Sequence, residues 1–209
     1  MQYQLGDNDQ WSKVTNFEHS ARIPLLIKPA AGTAEALTAA GKRALGLVES
    51  IDIFPSLVAL AMPGTPPIPR CPNDLNASRG IMLCTDGVPS LATALKNPTA
   101  ALNPAAFSQV PRDNQVQGMS GAGPAPHEQF MGYSVRTTSW RYTEWHHFDP
   151  DTGVADWSSV VAKELYPHEG TQQADCSWSY EYENVAGQPE HASVEQQLAA
   201  QLRTIVSVW

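Results

Sequence analysis

The chain has 209 residues and a mass of 22.7 kDa, enough for one ordinary domain, or one domain and a small appendage, with a buried core. That length excludes a peptide hormone or a knottin, and 13 Lys and Arg against 21 Asp and Glu give a net charge of −8 that disfavours nucleic acid and anionic membrane surfaces. Apolar residues at 42% and charged residues at 16% are a globular composition, while 17 Pro and 14 Gly predict a loop-rich chain.

In chain order, Met1–Gly6 leads straight into the polar run Asp7–Gln10 without the apolar core of a secretory signal, which by itself predicts a cytosolic chain. No apolar run reaches the roughly 20 residues that a bilayer span needs. Ile23–Ile27, short and closed by Pro29 and Gly32, reads as a buried strand. The Ala-rich stretch 33–47 reads as partly helical or as surface loop. Asp52 as an acidic cap, Pro55 in the first turn and the apolar spacing of 53–61 predict a helix that stops by Met62-Pro63-Gly64.

Prolines 66, 67, 69 and 72 predict irregular surface over 65–90, followed by one or two helical turns over 90–95. Phe107–Val110 reads as a short strand, and Ser120–Pro126 as a linker. Met131–Phe148 mixes Tyr133, Val135, Trp140, Tyr142 and Trp145 with Thr, Ser and Arg, the composition of a β-hairpin turning near Thr138-Ser139; a second turn follows at 149–153. Glu164-Leu165-Tyr166 offers another strand. Val194, Leu198, Leu202, Ile205 and Val206 share one face of a helix over 193–208.

Several candidate sites fail on their own chemistry. Asp7, Asp9 and Glu18 occupy calcium-loop offsets, but Trp11 stands where an oxygen ligand belongs and Ser12 where the sharp-turn glycine belongs. Gly118–Ala122 nearly spells a nucleophile elbow, yet lacks the closing glycine and the strand-turn-helix context. His146 and His147 with Asp149 and Asp151 suggest metal ligands, but neighbours on a strand point to opposite faces, so the segment reads as a surface turn. Cys71, Cys84 and Cys176 match no zinc spacing. Cys71 and Cys84 bracket a loop with the N-glycosylation sequon Asn76-Ala77-Ser78; both a bonded secreted loop and a chance pattern of free thiols stay open at this point.

The segment Tyr3–Lys13, with Glu18 and Arg22-Ile23-Pro24-Leu25, resembles the region of sulfatases just past their Asp-His-Gly metal turn, nearest the iduronate branch of that family. The resemblance continues through Val48–Leu60, Pro69–Cys84, Phe107–Arg112, Met131–Thr137 with Arg141–Thr143, Glu164–Tyr166 and Asn184–Ala186, and so covers nearly the whole chain. It implies a Cys71–Cys84 disulfide, and Asn76 as a glycosylation site in a secretory or lysosome-like compartment. It implies that Lys13 lies against a substrate sulfate, where its ammonium acts as a compact charge. Tyr3, Trp11 and Arg112 become substrate-binding candidates, with Arg136 and Arg141 weaker ones.

The implied fold is α/β, the C-terminal portion of an alkaline-phosphatase-like sulfatase. Residues 1–62 end the catalytic domain and supply the last strand and helix of its large sheet. Residues 63–130 form a loop-rich connection with the disulfide, and 131–209 an antiparallel subdomain with a C-terminal helix. The departures matter as much. No Cys-x-Pro-Ser-Arg, from which sulfatases make their formylglycine nucleophile, is present, nor are the paired N-terminal aspartates. The expectation is a part of a sulfatase acting on sulfated sugars, with calcium in the intact enzyme but no metal ligand here. It has no turnover alone, marginal stability, and an N-terminal sulfatase portion as partner. A non-catalytic module binding a glycan or protein through Trp140, Tyr142 and Trp145 is the alternative. Asp113–Gln129 contains no Lys or Arg, which leaves the choice of sugar open.

Overall fold

The computed structural model describes residues 4–12, 14–71, 83–113, 129–168 and 181–206. Tyr3, Lys13, Asn76, Cys176 and the 118–122 and 120–126 segments lie outside the described residues. The chain forms two compact units, Met1–Pro24 with Phe107–Ile205, and Leu25–Ala106 with Val206–Trp209.

The first unit is built on five strands: β3 (Ala106–Asp113), β4 (Gln129–Arg136), β5 (Trp140–Asp149), β6 (Val154–Ala155) and β7 (Ala162–Pro167). The order is β3-β4-β5-β6, with β7 also pairing β5. β4 and β5 form the expected antiparallel hairpin, in register Tyr133↔Glu144 and Val135↔Tyr142, and Thr137 and Trp140 close its turn. β7 pairs the other edge of β5, with Tyr142↔Leu165 and Glu144↔Lys163.

Strand alternation sorts the side chains onto two faces. Tyr142, Glu144 and His146 share one face of β5 with Leu165 of β7. There the amphipathic helix α5 (Ala192–Val206) brings Leu198 and Leu202, both buried, and its Arg203 reaches Glu144. Val135, Tyr142 and Leu165 are wholly buried. The opposite face presents Arg136, Arg141, Thr143, Trp145, Glu164 and Tyr166. It is covered by the chain around the one-turn helix α1 (Glu18–Ala21), with Phe17 edge-on to Tyr166. Ahead of α1, β1 (Gln4–Leu5) and β2 (Trp11–Ser12) form a small hairpin.

The second unit holds α2 (Ala34–Ala39), α3 (Ile53–Ala61) and α4 (Ser90–Lys96), with α4 against both of the others. α3 starts and stops where its sequence predicts, but Asp52 does not cap it as expected. Its buried carboxylate accepts from the Glu49 and Val88 N–H groups, Ser90 Oγ and Asn103 Nδ2, at 2.7–3.1 Å. A 3-10 turn over Ser50–Asp52 continues into α3 and turns that side chain toward the start of α4. Cys71 and Cys84 are bonded, with Cα atoms 4.8 Å apart.

One element departs from expectation. Residues Ile23–Ile27 carry no ladder, and Leu26 is 91% exposed, so the run is not a buried strand. A strand needs a neighbour for its N–H and C=O groups, and among the described residues none pairs with it. Leu37, Leu57, Phe54 and Met62 are likewise exposed.

Candidate functional site

The β1–β2 hairpin turns through Gly6–Gln10, closed by Gly6 N–H to the Gln10 carbonyl at 3.0 Å. Asn8 and Asp9 sit at φ 51° and 54°, in the left-handed region that their short polar side chains tolerate. Val14, immediately after the hairpin, has φ 77°, and a β-branched residue there is strained. Such strain persists where the surroundings over-determine the backbone. The surroundings here are polar anchors to the rest of the first unit. Asn8 Nδ2 donates to the Glu181 carbonyl at 2.7 Å. Buried Asn16 donates to the Gly132 carbonyl and accepts from Ser108 Oγ, both at 2.9 Å, tying this chain to β3 and β4 together.

Beside the hairpin, Arg112 of β3 donates from Nη2 to Gln10 Oε1 at 3.4 Å. Its guanidinium carbon lies 5.9 Å from the centre of the Trp145 ring. The Trp145 indole in turn donates to Glu164 Oε1 at 2.7 Å. Gly132, paired with Trp145 across the ladder, leaves room for that ring, since a Cβ on Gly132 would sit 2.8 Å from it. Trp11 is 74% exposed.

Beneath the anchors lies a buried ion network. Arg141 donates from Nη2 to Glu18 Oε2 and from Nε to Glu181 Oε1, each at 2.5 Å; Arg136 Nε meets Glu18 Oε2 at 3.1 Å, and His168 Nε2 lies 2.9 Å from Glu181 Oε1. Glu181 also accepts the Glu18 backbone N–H at 2.6 Å. Burial alone pushes the Glu18 carboxyl up, but Arg141 and Arg136 outweigh it and hold it below the usual range. For Glu181, burial is likewise outweighed by Arg141 and His168, bringing it down to about 2. Burial, helped by the Arg136 and Arg141 charges, holds His168 below its ordinary value against the opposing pull of Glu181. Arg136 and Arg141 are therefore structural cations facing carboxylates, and not anion contacts for a substrate.

Glu18, His168 and Glu181 place ligand-type atoms within 4.8 Å of one another, the spacing of a metal site. It does not fit calcium. Two guanidinium charges already neutralise the two carboxylates, and a hard cation prefers an all-oxygen shell.

On the sheet's other face, Glu144 is fully buried and accepts from Tyr142 Oη at 2.7 Å, with His146 Nε2 at 3.1 Å. His146 Nδ1 faces the Asp156 and Ser159 carbonyls at 3.0 and 3.2 Å. His146 is thus a core residue packed on Trp157, at 4.2 Å between ring centres, which corrects its reading as part of a surface turn. His147 points the other way and is exposed, as strand alternation requires. Trp140 and Tyr142 share one face and Trp145 lies on the other, so these aromatics do not form a single platform.

Two curated relatives can be set against this geometry. Mouse iduronate 2-sulfatase is 33% identical over 190 residues, covering 78% of this chain and 34% of the relative. The human iduronate 2-sulfatase is 32% identical over the same extent. Over most of its length the chain is similar to iduronate 2-sulfatases. It spans about a third of the length of the curated relatives it matches. No protein-family model matches it.

Of the substrate-binding candidates, Arg112 on β3 meets Gln10, the residue before Trp11 in the hairpin, and Trp11 is exposed. The sequence reading missed the Trp145–Glu164 pair, which is diagonal across the β5–β7 ladder, where Trp145 faces Ala162 and Glu164 faces Thr143. It also missed Glu181 and His168, which nothing in the local pattern marks. No helix among the described residues is long and apolar enough to cross a membrane.

Proposed function

We propose that this chain is the C-terminal part of a sulfatase that hydrolyses sulfate esters of sugars of the glycosaminoglycan type, without turnover on its own. The observation that carries the reading is the 33% identity to an iduronate 2-sulfatase. Sulfate-ester hydrolysis gathers negative charge on the non-bridging oxygens and on the leaving sugar oxygen, so the reaction calls for cations held before the substrate arrives. In this reading Lys13 meets the sulfate, Arg112 supplies a second positive charge beside the same hairpin, and Tyr3 and Trp11 border the sugar. The nucleophile and the calcium belong to another part of the enzyme, because no Cys-x-Pro-Ser-Arg occurs in the 209 residues and the Glu18, His168 and Glu181 group does not suit that ion.

The same reading assigns residues 1–62 to the end of an alkaline-phosphatase-like catalytic domain, 63–130 to a connection and 131–209 to a C-terminal subdomain. An N-terminal sulfatase portion is then the partner, and the compartment is secretory or lysosome-like, with Asn76 glycosylated. Exposed Leu26, Leu37 and Leu57 support a partner that covers them. Reading the coding DNA upstream of Met1 tests this directly. An in-frame continuation through Asp-His-Gly and a Cys-x-Pro-Ser-Arg is expected, and an in-frame stop in all transcripts overturns the single-precursor form. In an aryl sulfate assay, the purified chain is expected to match its Lys13→Ala variant; turnover above that control overturns the claim of inactivity.

A further inference from the structure

We propose that Glu164 is a positioning residue that acts through Trp145: it fixes the indole on which Arg112 lies and so holds Arg112 beside the β1–β2 hairpin as an anion-binding cation. The inference deepens the sulfatase reading and rests on it for the identity of the anion. The geometry is a relay of three side chains from three strands. Glu164 Oε1 accepts the Trp145 Nε1 proton at 2.7 Å, which sets the rotation of the indole. Gly132 leaves room for the ring against β4, since a Cβ there would meet Trp145 ring atoms at 2.8 Å. The Arg112 guanidinium then has a flat π surface 5.9 Å away and one weak hydrogen bond, to Gln10 at 3.4 Å.

Among the described residues no carboxylate lies within 4.0 Å of Arg112. That separates it from Arg136 and Arg141, each of which touches a carboxylate directly. An exposed guanidinium stacked on an indole keeps its N–H edge turned outward for an oxyanion. Glu164 does not occupy those donors, because it bonds the indole nitrogen and lies beyond 4.0 Å of the guanidinium nitrogens. A guanidinium on an otherwise unrestrained side chain would have to be ordered by the ligand itself, at a cost in affinity.

The test uses the full chain, a heparin-derived sulfated disaccharide as probe, and nuclear magnetic resonance of the Arg112 Nε–H and Trp145 Nε1–H signals, assigned with Arg112→Ala and Trp145→Phe. Titration is expected to shift the Arg112 signal saturably in the native chain. Glu164→Leu should weaken the apparent Kd about threefold, the scale of one exposed cation–π contact. It should also raise the mobility of the Arg112 Nε–H in relaxation measurements. Glu164→Gln, which keeps an acceptor for the indole, should restore both to within about twofold. Native-like Arg112 mobility and affinity in folded Glu164→Leu overturns the positioning role, as does Glu164→Gln behaving like Glu164→Leu. If Glu164→Leu does not fold, Trp145→Phe takes its place, with the same outcomes expected and the same ones fatal. A native chain that shows no Arg112 shift with the probe overturns the anion-binding role and counts against the sulfatase reading at this surface. In that case Arg112 mobility in the variants still decides whether Glu164 positions it.

Discussion

Arg141 carries a charge that is tolerable only because two carboxylates enclose it. Replacing it with Met leaves Glu18 and Glu181 buried with Arg136 and His168 as their remaining partners, and removing one member of such a buried pair costs about 3–5 kcal/mol. Urea unfolding should show that loss as a lower midpoint at unchanged slope. Arg112→Ala, at an exposed residue without a carboxylate partner in the described chain, should stay within about 0.5 kcal/mol. Equal losses for the two variants would mean that the buried network is not what the first unit depends on.

The same residues set an acid limit. Glu181 is brought down to about 2 and Glu18 lies below its ordinary value, so both are depressed in the folded state. Their stabilisation is complete above the unfolded carboxyl value of about 4.3 and is lost as pH falls through the folded values. His168 is depressed too, so it binds a proton more readily unfolded and weakens folding below about pH 6.5. The thermal midpoint should fall gently below that point and steeply between about 4.3 and 2. Glu181→Gln should flatten the steep part. A midpoint that rises on acidification through that window would show that burial outweighs the guanidinium fields. None of this was legible in sequence, where Arg136 and Arg141 look like anion contacts. Their partner Glu18 is 118 and 123 positions away, and no local pattern reports a contact across that separation.

At the scale of elements, legibility followed where each element finds its partner. The β4–β5 hairpin, α3 and α5 show their period within a dozen residues, because each has one buried face and a local stop. Ile23–Ile27 has strand composition, but a strand is completed by a neighbour, and the described chain supplies none. Asp52 reads as a cap from its position before α3, yet its four donors come from Glu49, Val88, Ser90 and Asn103, which only the fold assembles. Asp52→Ala should therefore cost about 3 kcal/mol, since it strands several buried donors, whereas Asp52→Asn keeps one acceptor and should cost less. Hydrogen exchange of α3 and α4 amides reads the difference; equal protection in both variants would reduce Asp52 to a surface cap. In β4, Gly132→Ala should cost about 1–3 kcal/mol by overpacking against Trp145, and should shift the Trp145 indole resonance. An unmoved indole signal would mean that the ring is not seated on Gly132.

At the scale of the whole molecule, the two units differ in what holds them. The first has a sheet covered on both faces, with Val135, Tyr142, Leu165 and Leu202 buried and Arg141 paired to two buried carboxylates. The second has short helices, the Asp52 cluster and one disulfide, while Leu26, Leu37, Leu57 and Met62 remain exposed. Local opening free energies follow buried apolar contact, so amides of 25–106 should exchange faster than those of β4, β5 and β7. The Cys71–Cys84 bond closes a loop with a sequence separation of 13, which on the chain-entropy account is worth up to about 3 kcal/mol. Reduction should therefore destabilise the second unit selectively, with the β5 amides keeping their protection. An apolar-surface dye should bind the native chain before any urea is added, because Leu26, Leu37, Leu57 and Met62 are all exposed. If the dye stays dark and both units unfold in one sharp, concentration-independent step, then these faces are covered within the chain itself and the need for a partner disappears.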